Sequence, residues 1–334
     1  MQFAYDAQID AQGDAVARAL NAGEVPQLDS GRPLLLCGIG TSLHACRVAA
    51  YWIAQLSGGR LRPSALEAHE LALHGDMRPG DQIVVVSHRG TKQFPLRVLE
   101  RAKAIGATTV MITGTGALDP GGDVVLRTCE DERASTHTVS YLTALMMLGR
   151  LVQRMLGQPA DSFGRGLASI PDSIRSTLAL SPPTGFQRRL INREPLLITG
   201  FGIDEMTASE AALKVKEGCY LWAEGMSEEF ALHGTPAVFD SRAAAIVIRP
   251  GRDDGGRSDQ LIKLLSELGL ALITCGPGSS DLPFAEVDYL MRPFVAIIPF
   301  QRLVAELARV RGSNPDSTRG DVEPWASATS RVRL

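Results

Sequence analysis

Aromatic residues are scarce, at 5% of the chain, and lysines scarcer: five stand among 34 cationic residues. Few aromatics argue against a base-stacking platform for single-stranded nucleic acid. There is no Lys/Arg-rich block, and the formal charge is −3, so the broad positive surface that duplex nucleic acid requires is missing. No apolar run reaches the roughly 18 residues of a membrane span. The stretch Met1 to Asp14 is polar and lacks the apolar centre of a signal peptide. These absences predict a cytoplasmic protein with neither nucleic acid nor membrane as partner. The five cysteines, Cys37, Cys46, Cys129, Cys219 and Cys275, are far apart and mostly inside apolar stretches. They are expected as buried reduced thiols rather than disulfides or zinc ligands. His69 and His74 are five residues apart, about 140° on a helix, where a zinc helix needs four. No metal site is expected.

What is present is apolar enough to fold: 45% of 334 residues are hydrophobic and 21% charged. At about 150 residues per domain this suggests two domains. A self-match supports the division. Residues 33–40 read PLLLCGIG and residues 195–202 read PLLITGFG, an offset of 162. Each is an apolar run ending in Gly-x-Gly, the pattern of a buried strand feeding a tight loop. GATTVMITG at 106–114 and GLALITCG at 269–276 repeat the match with a one-residue slip. Between them Ile83–Val86 is echoed by Ala245–Ile248. The economical reading is duplication of a whole α/β domain.

Within the first copy, strands at Leu34–Cys37, Ile83–Ser87, Thr108–Thr113 and Val124–Arg127 alternate with helices at Ser42–Gln55, Phe94–Ile105 and Thr138–Leu156. Apolar strands alternating with helices predict a parallel sheet covered on both faces. The expected plan is a lead-in helix over 1–27, a first domain over 28–157, a linker over 158–185 with a helix near Ile170–Leu180, a second domain over 186–311 and a polar tail over 312–334. Ligands of such sheets sit at the carboxyl ends of the strands, which puts Gly38–Ser42 and Ser87–Lys92 on one rim.

Four segments could carry chemistry. Gly38-Ile39-Gly40-Thr41-Ser42 would let backbone N–H groups and a helix N-terminus meet an anion, or is a tight turn with Ser42 as N-cap. A dinucleotide fingerprint would need glycine where Leu43 stands. Ser87-His88-Arg89-Gly90-Thr91-Lys92 offers groups suited to phosphate or carboxylate, or is a solvated loop. Ser135 and Thr136 precede a helix and either cap it or face a ligand from the same rim. In Asp204–Gly225, read as one helix, Glu210, Lys214, Glu217 and Glu224 fall within about 80° of each other. They form an exposed ion-pair stripe or a carboxylate–ammonium set in a cleft, equipment for moving a proton beside a carbonyl. Two of the five lysines, Lys214 and Lys216, share this segment, and little else in it is polar, which favours the cleft. His233-Gly234 supplies a histidine on a loop.

These residues resemble the sugar isomerase (SIS) family, in particular the isomerase half of glucosamine-6-phosphate synthase, over roughly residues 20 to 320. Gly38–Ser42 resembles the first phosphosugar loop, Ser87–Lys92 the second, and Ser135-Thr136 the Ser-Thr pair before the next helix. Ala211–Glu217 is similar to the Ala-Leu-Lys-x-Lys-Glu helix, and Arg311–Asp316 to the C-terminal Arg-Gly-x-Asn-Pro-Asp turn. Ala223-Glu224 and His233-Gly234 keep the family's spacing. The resemblance implies two tandem SIS domains, each a flavodoxin-like α/β/α sheet, in a homodimer with sites at the subunit interface. It also implies a phosphosugar ligand and no cofactor. Glu217 matches the glutamate that moves a proton between C1 and C2 of an open-chain sugar. Lys214 matches a nearby lysine, and His233 a ring-opening histidine supplied by the partner subunit. Gly40, Thr41, Ser42, Ser87, His88, Arg89, Lys92, Ser135 and Thr136 match ligand-binding positions.

Departures accompany the match. No glutaminase domain precedes the repeat, and residue 2 is Gln2 rather than a nucleophilic cysteine, so this chain alone is not expected to use glutamine. Arg89 and Lys92 stand where small hydroxyls surround the phosphate in the family. The family's tail lysine has no counterpart: after Arg319 the cations are Arg331 and Arg333, and Thr329 or a neighbour stands at that place. The expected function is an aldose–ketose isomerase or isomerising deaminase of an amino-sugar phosphate. The alternatives are a non-catalytic phosphosugar sensor, or an isomerase half serving a separate glutaminase subunit.

Overall fold

A computed structural model describes residues 2–118, 120–181 and 183–332; Arg333 lies outside them. Along the chain run α1 (Ala4–Asp10), α2 (Gln12–Leu20), β1 (Leu34–Gly38), α3 (Thr41–Leu56), β2 (Ser64–Glu67), α4 (Ala68–Leu73), β3 (Gln82–Val86), α5 (Gln93–Ile105), β4 (Thr108–Thr113), β5 (Val124–Arg127) and α6 (Val139–Leu156). Then come α7 (Asp161–Ala179), α8 (Phe186–Leu190), β6 (Leu196–Gly200), α9 (Asp204–Cys219), β7 (Ala223–Ser227), α10 (Glu228–Leu232), β8 (Ala244–Ile248), α11 (Arg257–Glu267), β9 (Ala271–Gly276), β10 (Leu282–Pro283), α12 (Arg292–Ala296), α13 (Ile298–Arg311) and α14 (Trp325–Ser330).

The chain divides into two compact units. One comprises Asp14–Glu132, Val139–Ser169 and the chain from Val322 on; the other the chain through Gly13, Arg133–Thr138 and Ile170–Asp321. The first holds a five-stranded parallel sheet of order β2-β1-β3-β4-β5, the second one of order β10-β9-β8-β6-β7. Read from the other edge, the second order is β7-β6-β8-β9-β10, the same pattern. Every strand pair is parallel.

The apolar runs explain the strands. All five residues of β3, β6 and β8 are buried, as both faces of a parallel sheet covered by helices require. In the first unit Cys37, Ile83, Val85 and Met111 pack with Leu71, Val98 and Leu99 from the helices. In the second Leu197, Ala245 and Val247 pack with Leu261 and Leu265. All five cysteines are buried and free, and burial pushes the thiols of Cys37 and Cys219 up to about 12. Among the described residues no helix is long and apolar enough to cross a membrane.

The repeated Gly-x-Gly has a steric cause. A Cβ on Gly38 would stand 2.7 Å from the backbone carbon of Ser42, and one on Gly200 would stand 2.4 Å from that of Asp204. Each glycine lets the next helix press its first turn onto the strand end. Gly40 (φ 53°) and Gly202 (φ 60°) then turn the chain at positive φ, which glycine adopts without strain. Gly40, not Ser42, occupies the N-cap of α3; Ser42 lies in the first turn, because the tight turn brings the helix in two residues early.

Three elements differ from expectation. The lead-in helix expected over 1–27 is two helices, Ala4–Asp10 and Gln12–Leu20. The linker helix is longer, Asp161–Ala179, and runs through Gly164, Gly166 and Pro171, whose low helix propensity masked it. The helix expected over Asp204–Gly225 stops at Cys219, and Tyr220 takes a left-handed conformation (φ 56°). Glu224 therefore lies on β7 as an exposed residue and leaves the stripe of Glu210, Lys214 and Glu217.

Candidate functional site

α9 has acidic residues in its first turn, alanines in its middle and Lys216 in its last turn, a sequence suited to a helix and its dipole. Its apolar face is buried, and Glu210 and Lys214 go in with it. Lys214 and Glu210 side chains are each 1% exposed, and Glu217 is 30% exposed. Lys214 Nζ donates to Glu217 Oε2 at 2.7 Å and lies 3.4 Å from Glu210 Oε1. A buried ammonium is tolerable only when paired; here two carboxylates on one helix face pair it, and only Glu217 reaches solvent. The result is a fixed, half-exposed carboxylate beside a positive charge, a positioned group for taking and returning a proton.

Ser135 and Thr136 belong to the same compact unit. Their backbone N–H groups donate to the carbonyls of Asp316 (2.9 Å) and Pro315 (3.1 Å). Asp316 also receives the N–H groups of Ala4 and Tyr5 on its carboxylate at 2.8 and 2.9 Å, which caps α1. The Arg311–Asp316 turn is tied to the end of α9: Ser313 Oγ donates to Gly218 O at 2.8 Å, Arg311 Nε to Cys219 O at 2.8 Å, and Tyr220 Oη receives Asn314 N at 3.2 Å and Arg319 N at 3.1 Å. The buried Thr136 Oγ1 is left without a hydrogen bond and lies 3.9 Å from where a Cβ on Gly218 would stand. Thr136 thus faces the end of α9 next to Glu217. Tyr220 and Asp316 as anchors were not singled out in the sequence. The Asn-Pro-Asp run was the available signal for the turn, but nothing local ties it to Tyr220, 94 residues away.

His233 ends α10 as its C-cap and is exposed. Its imidazole makes no hydrogen bond or ion pair among the described residues. α10 is docked to α11 by Ser258 Oγ donating to Glu228 Oε1 at 2.7 Å and by Arg257 against Glu229 at 2.8 Å. Glu228 is 1% exposed, and burial is the main cause that pushes its carboxyl up to about 7.

The remaining site residues lie in the other unit. Gly40, Thr41 and Ser42 begin α3 at the carboxyl end of β1, each half-buried. Ser87 is buried at the end of β3, with Ile112 O accepting its N–H at 3.0 Å. His88 turns inward: its side chain is 8% exposed, it packs against Gly114, and Nε2 lies 3.8 Å from Asp131 Oδ1. Burial lowers its pKa, partly countered by Glu132 and Asp131. Arg89 is exposed and Lys92, at the N-cap of α5, half-buried. Neither pairs with Glu130, Asp131 or Glu132: Asp131 faces His88, and Glu132 accepts the N–H of Ser140. Burial, then Arg89, lowers the pKa of Lys92.

The corresponding rim of the other sheet is filled from within. Asp204, in the place of Ser42, pairs with Arg292 at 2.9 Å, and Asp254 accepts the N–H groups of Gly256 and Ser258 at the start of α11 at 2.9 and 2.7 Å. Internal carboxylates thus occupy both helix starts there, whereas α3 and α5 have no acidic residue in their first turns.

Two parallel α/β sheets with glycine loops at their carboxyl rims define the fold class. Residues 28–153 match the family described as SIS domain. The chain is 26% identical over 326 residues to the glutamine--fructose-6-phosphate aminotransferase [isomerizing] of Pyrobaculum aerophilum, covering 92% of this chain and 52% of the relative. It therefore spans about half the length of that curated relative. The C-terminal domain of glucosamine-fructose-6-phosphate aminotransferase from Francisella tularensis superposes with a TM-score of 0.82 at 19% identity, covering 95% of this chain and 98% of that one. Glucosamine-6-phosphate deaminase from Thermotoga maritima gives 0.76 at 19%, with 94% and 97% covered. At these identities the structural matches establish the fold.

Proposed function

We infer that this chain is a phosphosugar aldose–ketose isomerase or isomerising deaminase, built from two tandem flavodoxin-like SIS domains at 28–157 and 186–311. The names of the curated relative and of the structural neighbours support an amino-sugar phosphate as the substrate class. The observation that carries the reading is the Lys214–Glu217 contact of 2.7 Å with Glu217 half-exposed. On an open-chain sugar, Glu217 takes the proton from the carbon beside the carbonyl and returns it to the former carbonyl carbon, while the hydroxyl proton passes from one oxygen to the other, so the carbonyl moves between C1 and C2. The Lys214 ammonium holds that carboxylate in place. Gly40–Ser42, Ser87–Lys92 and Ser135–Thr136 hold the phosphate and hydroxyls, and His233 of the partner subunit in a cytoplasmic homodimer opens the ring.

The test is deuterium exchange at C1/C2 of fructose 6-phosphate and glucosamine 6-phosphate, read beside thermal stabilisation and beside the unphosphorylated sugars. A ligand at 100 times its Kd adds about 2.7 kcal/mol of stability. Stabilisation with exchange supports the isomerase. Stabilisation without exchange turns the reading to a sensor, and no response to any sugar phosphate rejects both.

A further inference from the structure

The unit built on β1–β5 has a concavity at the edge opposite its glycine loops. A cavity of about 260 Å³ opens beneath the amino-terminal ends of β1 and β2, lined among others by Leu34, Ile53, Met155, Arg32, Arg60 and Arg62. β1 is five residues long, so at about 3.3 Å per residue the cavity stands roughly 16 Å along the sheet from Gly38–Ser42. It belongs to neither loop of the proposed sugar site.

Its chemistry is divided. The floor is apolar: Leu34, Ile53 and Met155 are 9%, 2% and 7% exposed. The same three residues also line an apolar void of about 10 Å³ behind the floor, together with Leu36, Val84 and Leu148, so packing there leaves slack. The rim is cationic. Arg32 donates Nε to Gly80 O at 2.8 Å and Nη2 to Asp81 O and Thr108 Oγ1 at 3.3 Å. Arg62 donates Nε to Gly59 O at 3.2 Å. The Arg60 guanidinium makes no hydrogen bond among the described residues. Carbonyl oxygens orient two of these groups without neutralising them. Among the described residues none of the three is paired with a carboxylate. The Asp29 carboxylate stands beside one lip, where Oδ1 accepts Gly31 N–H at 2.7 Å, and one negative charge does not offset three positive ones.

The bland account is that the arginines answer helix ends, since α3 and α6 both finish here and a helix C-terminus favours cations. It covers Arg62, which bonds a carbonyl just past α3. It does not cover Arg60, nor an apolar floor left open beneath three guanidiniums. Planar N–H forks suit phosphate oxygens, and here they share one cavity with the apolar side chains of Leu34, Ile53 and Met155. We propose that this cavity is a second ligand site, taking an organic phosphate whose apolar body covers Leu34, Ile53 and Met155 while Arg32, Arg60 and Arg62 hold its phosphate.

The probe is phenyl phosphate, with inorganic phosphate and phenol as its two halves, titrated into the full chain with saturating fructose 6-phosphate present to block the sugar rim. Phenyl phosphate is expected to bind at least tenfold tighter than either half. R60Q/R62Q is expected to weaken it at least tenfold, with the thermal midpoint of the unliganded protein unchanged, because both side chains are exposed. R60Q alone keeps the test independent of folding, since Arg60 holds nothing in the chain. Phenyl phosphate binding no tighter than inorganic phosphate, or equally well to the double variant, overturns the proposal.

Discussion

Glu217 Oε2 accepts a hydrogen bond from Lys214 Nζ at 2.7 Å along the same face of α9, while Glu210 approaches the same ammonium at 3.4 Å from the other side. The three side chains form one electrostatic unit. Its inner two members are sealed in the protein and its outer member meets solvent. The core therefore fixes the position of the one carboxylate of the pair that meets solvent.

Lys214→Met is expected to be strongly destabilising. It leaves Glu210 buried with its ammonium gone, and breaking a buried pair from one side typically costs about 3–5 kcal/mol. E210Q/K214M removes the stranded charge and should recover a large part of that loss. Equilibrium urea unfolding of the two variants measures the difference, and equal stability would show that Glu210 does not depend on Lys214.

Glu217→Gln should separate chemistry from folding. The amide oxygen can still accept from Lys214, and the side chain is part-exposed, so stability is expected within about 1 kcal/mol of the parent. Exchange at C1/C2 should fall at least about 100-fold, the usual contribution of a positioned base. Full exchange in this variant would remove Glu217 from the mechanism.

Much of this was legible in the sequence because strands and glycine loops are local features. PLLLCGIG and PLLITGFG each contain a strand, its end and the reason for two glycines. The end of α9 was not legible. Its stop is a non-glycine residue, Tyr220, held left-handed by a turn 94 residues further on, and no local pattern announces that. Reading the helix through to Gly225 put Glu224 on the wrong element. The fate of Arg89 and Lys92 was undecidable for a related reason: charge alone pairs them with Glu130–Glu132 as readily as with a ligand, and only the packing of His88 and the start of α6 uses those carboxylates. The cationic cavity left no trace, because Arg32, Arg60 and Arg62 read as ordinary loop residues.

Gly38→Ala tests the steric account of the repeat. A methyl group would meet the Ser42 backbone carbon at 2.7 Å and Leu43 N at 2.8 Å, and neither can rotate away. Overpacking of this kind costs about 1–3 kcal/mol or more. The melting temperature should fall, and Gly200→Ala, with its contact at 2.4 Å, should lower it further. Gly106→Ala is not a valid control, since its φ of 73° strains any side chain; Gly80→Ala, with open space around it, is.

Stability should decline as pH rises from about 4.5 to about 7, and Glu228 is the main cause. Burial raises its carboxyl from the ordinary 4.5 to about 7, against the Ser258 hydrogen bond, and Asp254 and Asp204 push in the same direction as burial. A folded-state pKa above the unfolded value means that the folded protein holds the proton more tightly. Its contribution is therefore greatest below the unfolded pKa and is lost through this window, on the order of 3 kcal/mol in total. Asp204, raised to about 6 by burial despite Arg292, adds a loss of the same sign between about pH 4 and 6. Glu228→Gln isolates the larger part, because the amide keeps an acceptor for Ser258 and cannot ionise. Urea midpoints of parent and variant from pH 5 to 8 should diverge, the variant losing less stability as pH rises. Parallel profiles would mean that Glu228 is ionised in the folded protein at neutral pH, with Arg257 or water reaching the oxygen that has no hydrogen bond in this structure.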